Sequence, residues 1–441
     1  MTKANTKKII RYVMGIILKV MPMRILDLFF TPLYSFNPDW VYKASTNLSY
    51  CKLVKSRKSF FGKFRLLSDS ELVSYRDCLI DPEAYEDVRS PDIYGVSKNN
   101  FTTLRKHEIS IYCFPNAEIR AKSDVIKVGG YAFWEKARRP EFAQTIPVDS
   151  DFIAIDSMRD NIIAFEQKKA RNFSMGFSLC GVHTNTWAHF IISYLPKIIA
   201  LKRITVGSTI ALFVPNNMLQ NNKDLIELLL NERFDSNEVE LIYVSDEEVI
   251  KCAKLYYCSA IGFLCDHSTY VHPASSCISS FGAKAIHGVA EILWAKVGVS
   301  EPKKIYIGRG AGRNLFNAAE VEKYFIRNGF EIVYPHLLSL QEKINVFGNA
   351  THICGPVSSG FANIIFSREQ VKVLGFFNFA RCFDPFISGL NYAGGFGHQI
   401  TFLTGYEDVN YNINNSYFIE LDRIIECCEE IKFFDVQSTY S

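Results

Sequence analysis

The rhythm of apolar and polar positions changes near residue 150. Upstream, residues 31–150 read as irregular, with short strand-like pieces at Ile109-Ser-Ile-Tyr-Cys-Phe114 and Val125-Ile-Lys-Val128, the latter followed by a Gly129-Gly130 turn. Downstream, short apolar runs alternate with helix-period segments, the signature of parallel α/β sheets. Predicted strands of a first unit lie at 152–155, 210–214 and 239–244. Its predicted helices lie at 186–203, kinked by Pro196, and at 223–231. A second unit starts near residue 300. Strands are expected at 304–308, 331–334, 352–355 and 371–376, and helices at 318–328, 339–349 and 359–366. Gly329 is placed to stop the first of these helices, and Ser339 with Glu342 forms a capping box for the second. Residues 417–433 read as an acidic helix.

The N-terminus patterns differently. Lys8, Arg11, Gly15 and Lys19 fall on one helical face and the rest is apolar until Pro22. The longest uncharged run, 12–18, is far short of the roughly 20 residues that span a bilayer. A basic amphipathic helix of this kind suits an anionic membrane surface, through residues 8–22, or the protein's own body.

Composition narrows the class. The chain has 441 residues, enough for two or three domains at roughly 100–200 residues each. Hydrophobic residues at 48% and charged ones at 22% exclude disorder as the main state. A net charge of only +3 supplies no basic field for nucleic acid. The 12 cysteines follow no framework spacing, and Cys427 adjoins Cys428, so a reduced, cytosolic protein is expected. Cys252, Cys258, Cys265 and His267 lack zinc-site spacing.

Several short motifs carry candidate chemistry. Gly308-Arg-Gly-Ala-Gly-Arg313 follows a strand but has Arg313 where a dinucleotide fingerprint needs its third glycine. Its two arginines suit a phosphate or diphosphate clamp, and a solvated loop fits them too. Gly355-Pro-Val-Ser-Ser-Gly360 joins a strand to a helix N-terminus, which is an anion site or a plain capped turn. Both loops would lie on one rim of one sheet. His183, Asn185 and His189 precede or enter a helix, where a core role competes with catalysis. Asp149-Ser-Asp151 matches an Asp-x-Asp metal pattern that also arises by chance.

Arg309, Arg313, Asn317, Gly329-Phe330, Ser339-Leu340-Gln341-Glu342 and Gly355 through Gly360 to Asn363 occur in an ordered series. Upstream stand Asn185, His189 and Leu195-Pro196. Together they resemble glycosyltransferase family 61, over about residues 110–405 and most densely over 175–205 and 300–378. Departures from the family pattern are Val357-Ser358 for His-Gly, Ala318 for an acid, Lys343 for Gln and Ser193 for an acid.

The resemblance implies an α/β, GT-B-like fold: two Rossmann-like domains facing a cleft, behind an N-terminal amphipathic helix and a β-rich N-terminal region. The expected divisions are 1–30 (basic helix), 31–295 (acceptor side), 296–405 (nucleotide-sugar binding) and 406–441 (acidic helical tail). It also implies inverting transfer from a nucleotide-sugar donor to a glycan or lipid-linked glycan acceptor, without a metal or other cofactor. Arg309, Arg313, Asn317, Glu342, Ser358, Ser359, Gly360 and Asn363 would bind donor, with His183 and Asn185 on the acceptor side. His189 would be the general base, with Asp266 or Glu320 as substitutes. The expected setting is capsule or lipopolysaccharide synthesis, peripheral on the cytoplasmic face of the plasma (inner) membrane. The rival expectation is a non-catalytic nucleotide-sugar-binding or scaffold protein of the same assembly.

Overall fold

Two sheets carry the fold, and in each the strand order reverses once. The computed structural model describes residues 61–89, 92–95, 101–106, 108–135, 152–156, 161–165, 169–204, 209–262, 280–298, 300–310, 314–368, 370–378, 398–406 and 416–434. The expected N-terminal helix, Asp149, Asp151, Asp266 and Arg313 lie outside these residues.

The first sheet is built on four strands: β1 (Lys169–Ser178), β2 (Ile210–Pro215), β3 (Val239–Val244) and β4 (Glu248–Cys258). Their spatial order is β3-β2-β1-β4, all parallel. Strand Ile109–Arg120 then pairs antiparallel with β4 and leads to the hairpin strands Val125–Val128 and Tyr131–Trp134. Strands Phe61–Leu66, Asn161–Phe165 and Phe152–Asp156 complete that side. Much of the β-rich upstream region is thus a continuation of the first α/β sheet, while Ala84–Arg89 and Phe101–Lys106 form a separate antiparallel pair.

The second sheet contains β5 (Lys303–Ile307), β6 (Glu331–Val333), β7 (Ala350–Pro356), β8 (Lys372–Asn378) and β9 (Gln399–Gly405). Its order is β6-β5-β7-β8-β9, all parallel. Asp92–Ile93 pairs parallel with the far edge of β9, so a piece of the upstream region completes the downstream sheet.

The first helix, α1, spans residues 187–201 in three pieces: an α-turn Trp187–His189, a π-turn Phe190–Tyr194 and an α-turn Lys197–Leu201. The cause is Pro196, which has no N–H to offer an upstream carbonyl. The Leu195 amide instead reaches five residues back, to Phe190 O at 2.8 Å. Besides a short upstream helix, Asp69–Val73, the other helices are α2 (Gln220–Arg233), α3 (Ser280–Trp294), α4 (Ala318–Arg327), α5 (Leu340–Gly348) and α6 (Leu421–Glu430). A 3-10 helix spans Ser359–Phe366.

One apolar cluster runs through both sheets. It joins Phe177, Ile191 and Leu195 of the first lobe to Ile307, Ile344, Phe361 and Ile365 of the second. The opposite face of the second sheet buries Tyr306, Phe325 and Phe376 against Tyr417, Ile424, Cys427 and Cys428. The acidic helix expected at 417–433 is shorter, Leu421–Glu430, and packs inside this lobe. Among the described residues, no helix is long and apolar enough to cross a membrane.

Candidate functional site

Open parallel sheets bind ligands outside the carboxyl ends of their strands, where strand order reverses. In the second lobe the reversal lies between β5 and β7. Both strands end in glycine-containing turns at that point. A Cβ on Gly355, whose φ is +133°, would sit 2.5 Å from the Ile307 carbonyl oxygen. Only glycine lets β7 approach β5 this closely. Gly308 likewise lies against the Tyr334 ring, with 2.7 Å left for a Cβ.

The chain leaving β5 carries Arg309, which is half-buried. Its Nη1 donates to the carbonyl of Val357 at 3.1 Å, so the guanidinium is seated on the turn that follows β7. Asn314 Nδ2 donates to Arg309 O at 2.9 Å and shapes the loop. Ser358 caps the 3-10 helix by accepting from the Gly360 amide at 3.2 Å. Ser359 is exposed beside it. Asn363 is fully buried and donates to Gly360 O at 2.7 Å, bracing the turn from beneath. Arg309, in the turn after β5, is thus bonded to the turn after β7 that carries Ser358, Ser359 and Gly360. Val357, where the family pattern has His, is buried in the shared core, and its amide donates to Phe376 O at 2.7 Å.

In the first lobe the reversal lies between β1 and β4. The chain leaving β1 passes through Gly181 and a turn into α1. Gly181 leaves only 2.3 Å to the Tyr194 hydroxyl and 2.4 Å to Asp124 Oδ1 for a Cβ. Tyr194 in turn donates to Asp124 at 2.7 Å. This packing throws His183 back over the first turn of α1. The rings of His183 and His189 stack with centroids 4.7 Å apart and planes 25° apart. Helical spacing separates these positions, but His183 stands in the turn before the helix, so the two meet. Thr184 is held from both sides: its hydroxyl donates to Gly181 O at 3.0 Å, and its carbonyl accepts from buried Asn222 at 2.8 Å. Asn185 is exposed on the same turn.

The two lobes meet at α1. Trp187 packs on Phe366 of the 3-10 helix with ring centroids 6.2 Å apart. Lys343 of α5 places its ammonium 4.2 Å from the Trp187 ring centroid. Asn221 Nδ2 donates to Leu338 O at 2.9 Å, a second tie between lobes. Burial without a carboxylate partner among the described residues pulls Lys343 down to about 8. Trp187 and Lys343 were not singled out as a pair in the sequence. Trp187 reads as one more core aromatic, and the junction appears only once both lobes are in place.

Three predicted residues have local duties. Glu342 accepts from the Ser339 amide at 2.8 Å and hydroxyl at 2.7 Å, completing the capping box, and these bonds hold its carboxylate below the usual range. Asn317 donates to Ile419 O at 2.9 Å, fastening the C-terminal segment, and to Glu320 at 3.2 Å. Glu320 is exposed on the first turn of α4. A buried network absent from the sequence reading joins Lys197 to Tyr257 at 3.1 Å and Tyr257 to Glu135 at 2.8 Å, beneath α1. Among the described residues, no group of three or more His, Cys, Asp or Glu side chains is arranged to hold a metal ion.

Comparison with known proteins fits this geometry. No curated protein matches the chain. Residues 187–374, from the start of α1 into β8, match the family model described as Glycosyltransferase 61. That segment takes in His189, Arg309 and the whole 355–363 turn, the residues on both sides of the junction. Over that segment the chain is similar to glycosyltransferase family 61.

Proposed function

We propose that this protein is a glycosyltransferase, moving a sugar with inversion from a nucleotide-sugar donor to a glycan acceptor, without a metal. The observation that carries the reading is the contact of α1 with the 3-10 helix. That contact, Trp187 on Phe366, joins the element that carries His189 to the element whose N-terminal turn seats Arg309, and in this reading the two face one donor and acceptor.

A departing nucleoside diphosphate needs fixed positive potential. Arg309 supplies a planar fork of N–H donors, and the N-terminus of the Ser359–Phe366 helix adds amides and dipole. Arg313 joins them in this proposal. On the opposite side a base takes the acceptor hydroxyl proton as an oxocarbenium-like centre forms. His189 fills that role, and the stacked His183 orients its ring. Asp266 and Glu320 are the substitute bases.

The test pairs two variants. Arg309→Ala is expected to weaken nucleoside-diphosphate binding at least tenfold by calorimetry, as loss of a charge-assisted contact does. His189→Ala is expected to keep that binding and to lose about 10²-fold or more in turnover. Activity that survives His189→Ala overturns the assignment of the base. Full activity is expected in excess EDTA, and its loss would restore a metal reading through Asp149 and Asp151. Buried Val357 in the histidine position favours one rival, a non-catalytic nucleotide-sugar-binding protein. That rival predicts nucleotide binding with no transfer in any variant.

The setting proposed is capsule or lipopolysaccharide synthesis at the cytoplasmic face of the membrane, with residues 8–22 on the anionic surface. Deleting residues 1–22 is expected to release the protein to the soluble fraction with donor hydrolysis intact. A truncated form that still pellets with membranes removes that part of the proposal.

A further inference from the structure

Beyond the donor rim, a small extension of the second sheet carries an unusual surface. The chain after β5 and the segment 416–419 pair in parallel through Leu315 and Tyr417. The chain after β9 pairs antiparallel with that segment through Tyr406 and Phe418, which exchange both backbone hydrogen bonds at 3.0 Å. Side chains alternate faces along a strand, and directly paired residues share a face. Leu315 and Tyr417 are buried, so Phe316 and Phe418 point outward, and Tyr406 joins Phe418 on that face.

The exposures agree. Phe316 is 65% exposed, Phe418 42% and Tyr406 67%. Three aromatic rings therefore stand in one row, one per strand, on solvent. Gly405 allows the approach, since a Cβ there would meet the Phe418 carbonyl at 2.5 Å. The Arg423 guanidinium lies 5.5 Å from the Tyr406 ring centroid and donates to Thr404 O at 2.9 Å, which holds one end of the row.

We infer that Phe316, Phe418 and Tyr406 form a docking strip for the acceptor, a neutral glycan chain, outside the reaction centre. The inference rests on the glycosyltransferase reading and names where its acceptor is gripped. Three observations select this occupant. First, the strip is continuous with the candidate donor rim: Phe316 lies in the loop that begins at Arg309, and Asn314 of that loop is bonded to Arg309 O. Second, the three residues stand on adjacent bridged segments and project from one face, so one extended glycan chain can cross all three. The axial C–H face of a pyranose is apolar and electropositive, which suits an aromatic face. Third, among the described residues, Glu320, Glu420 and Asp422, the exposed charges within four residues of the strip along the chain, are acidic, while Arg423 at the Tyr406 end is engaged with Thr404 O. They disfavour an anionic membrane or a polyphosphate as occupant.

The test uses the full chain and variants Phe316→Ala, Phe418→Ala, Tyr406→Ala and the triple. Affinity electrophoresis is run in gels holding soluble glucan, galactan, mannan or xylan. At least one polymer is expected to retard the wild type, and each single variant to lose about fivefold to tenfold of that affinity. Circular dichroism and thermal melting check that the variants fold as the wild type does. In transfer assays the acceptor KM is expected to rise with kcat and donor hydrolysis unchanged. No retardation by any polymer, or equal retardation of the folded triple variant, overturns the strip. So does binding of phosphatidylglycerol vesicles that depends on these rings. Loss of donor hydrolysis in the wild type would instead sink the glycosyltransferase reading and leave the polymer-binding result standing.

Discussion

Gly355 has no substitute at its position. Its φ of +133° is a glycine region, and the added Cβ would strike backbone, which cannot swing aside. Gly355→Ala is expected to destabilise the second lobe by about 2 kcal/mol or more, read as a lower denaturant midpoint. A smaller loss would mean that β5 and β7 part easily. His398 makes a second residue-scale prediction. Its Nδ1 accepts from the Val371 amide at 3.1 Å, and burial lowers the ring to about 4. The unfolded ring titrates near 6.5, so the unfolded chain binds more protons between those values. Stability conferred by the neutral ring is therefore present above about 6.5 and lost as pH falls toward 4. His398→Phe is expected to flatten that part of the stability profile, checked by melting from pH 7 to 4.

At the scale of elements, what the sequence disclosed follows from how each element is buried. Strand β2 and the later residues of β5, β7 and β8 are enclosed on both faces and read as short apolar runs. The capping box Ser339–Glu342 was legible because it is local. Ser339→Ala is expected to cost about 1 kcal/mol, measured by urea unfolding. An unchanged midpoint would show that packing alone sets the start of α5. By contrast, β1 and β4 pass unnoticed. The amino-terminal half of β1 lies toward solvent, and Lys169, Arg171, Lys251 and Lys254 interrupt any apolar run. The meeting of His183 with His189 was illegible for a different reason. Periodicity describes residues inside a helix, and His183 stands before one. Arg309 and Ser358 were legible as candidates because each follows a strand in a glycine-containing turn. Their meeting required the β5-β7 adjacency, which no local pattern encodes.

At the scale of the whole molecule, the lobes meet through a shared apolar cluster, and Lys343 is a charged group set into that meeting. Its protonated form is opposed by burial and partly offset by the Trp187 ring face. With the folded value near 8 and the unfolded near 10.5, the unfolded chain binds more protons in between. Stability should therefore rise as pH climbs from about 8 to 10.5. Lys343→Met is expected to melt higher at pH 7 and to lack this rise. A lower melting temperature would show that the cation on Trp187 stabilises the junction outright.

The pairing of Asp92–Ile93 with β9, and the seating of α6 under Tyr306 and Phe325, make the second lobe a late arrival during biosynthesis. Its sheet waits for a strand made near residue 400, and its apolar underside waits for Tyr417 through Cys428. A ribosome making this protein therefore holds a half-built sheet with uncovered aromatics until residues 417–428 have emerged. A nascent chain arrested before Tyr417 would be a substrate for chaperones, whatever the condition of its first lobe.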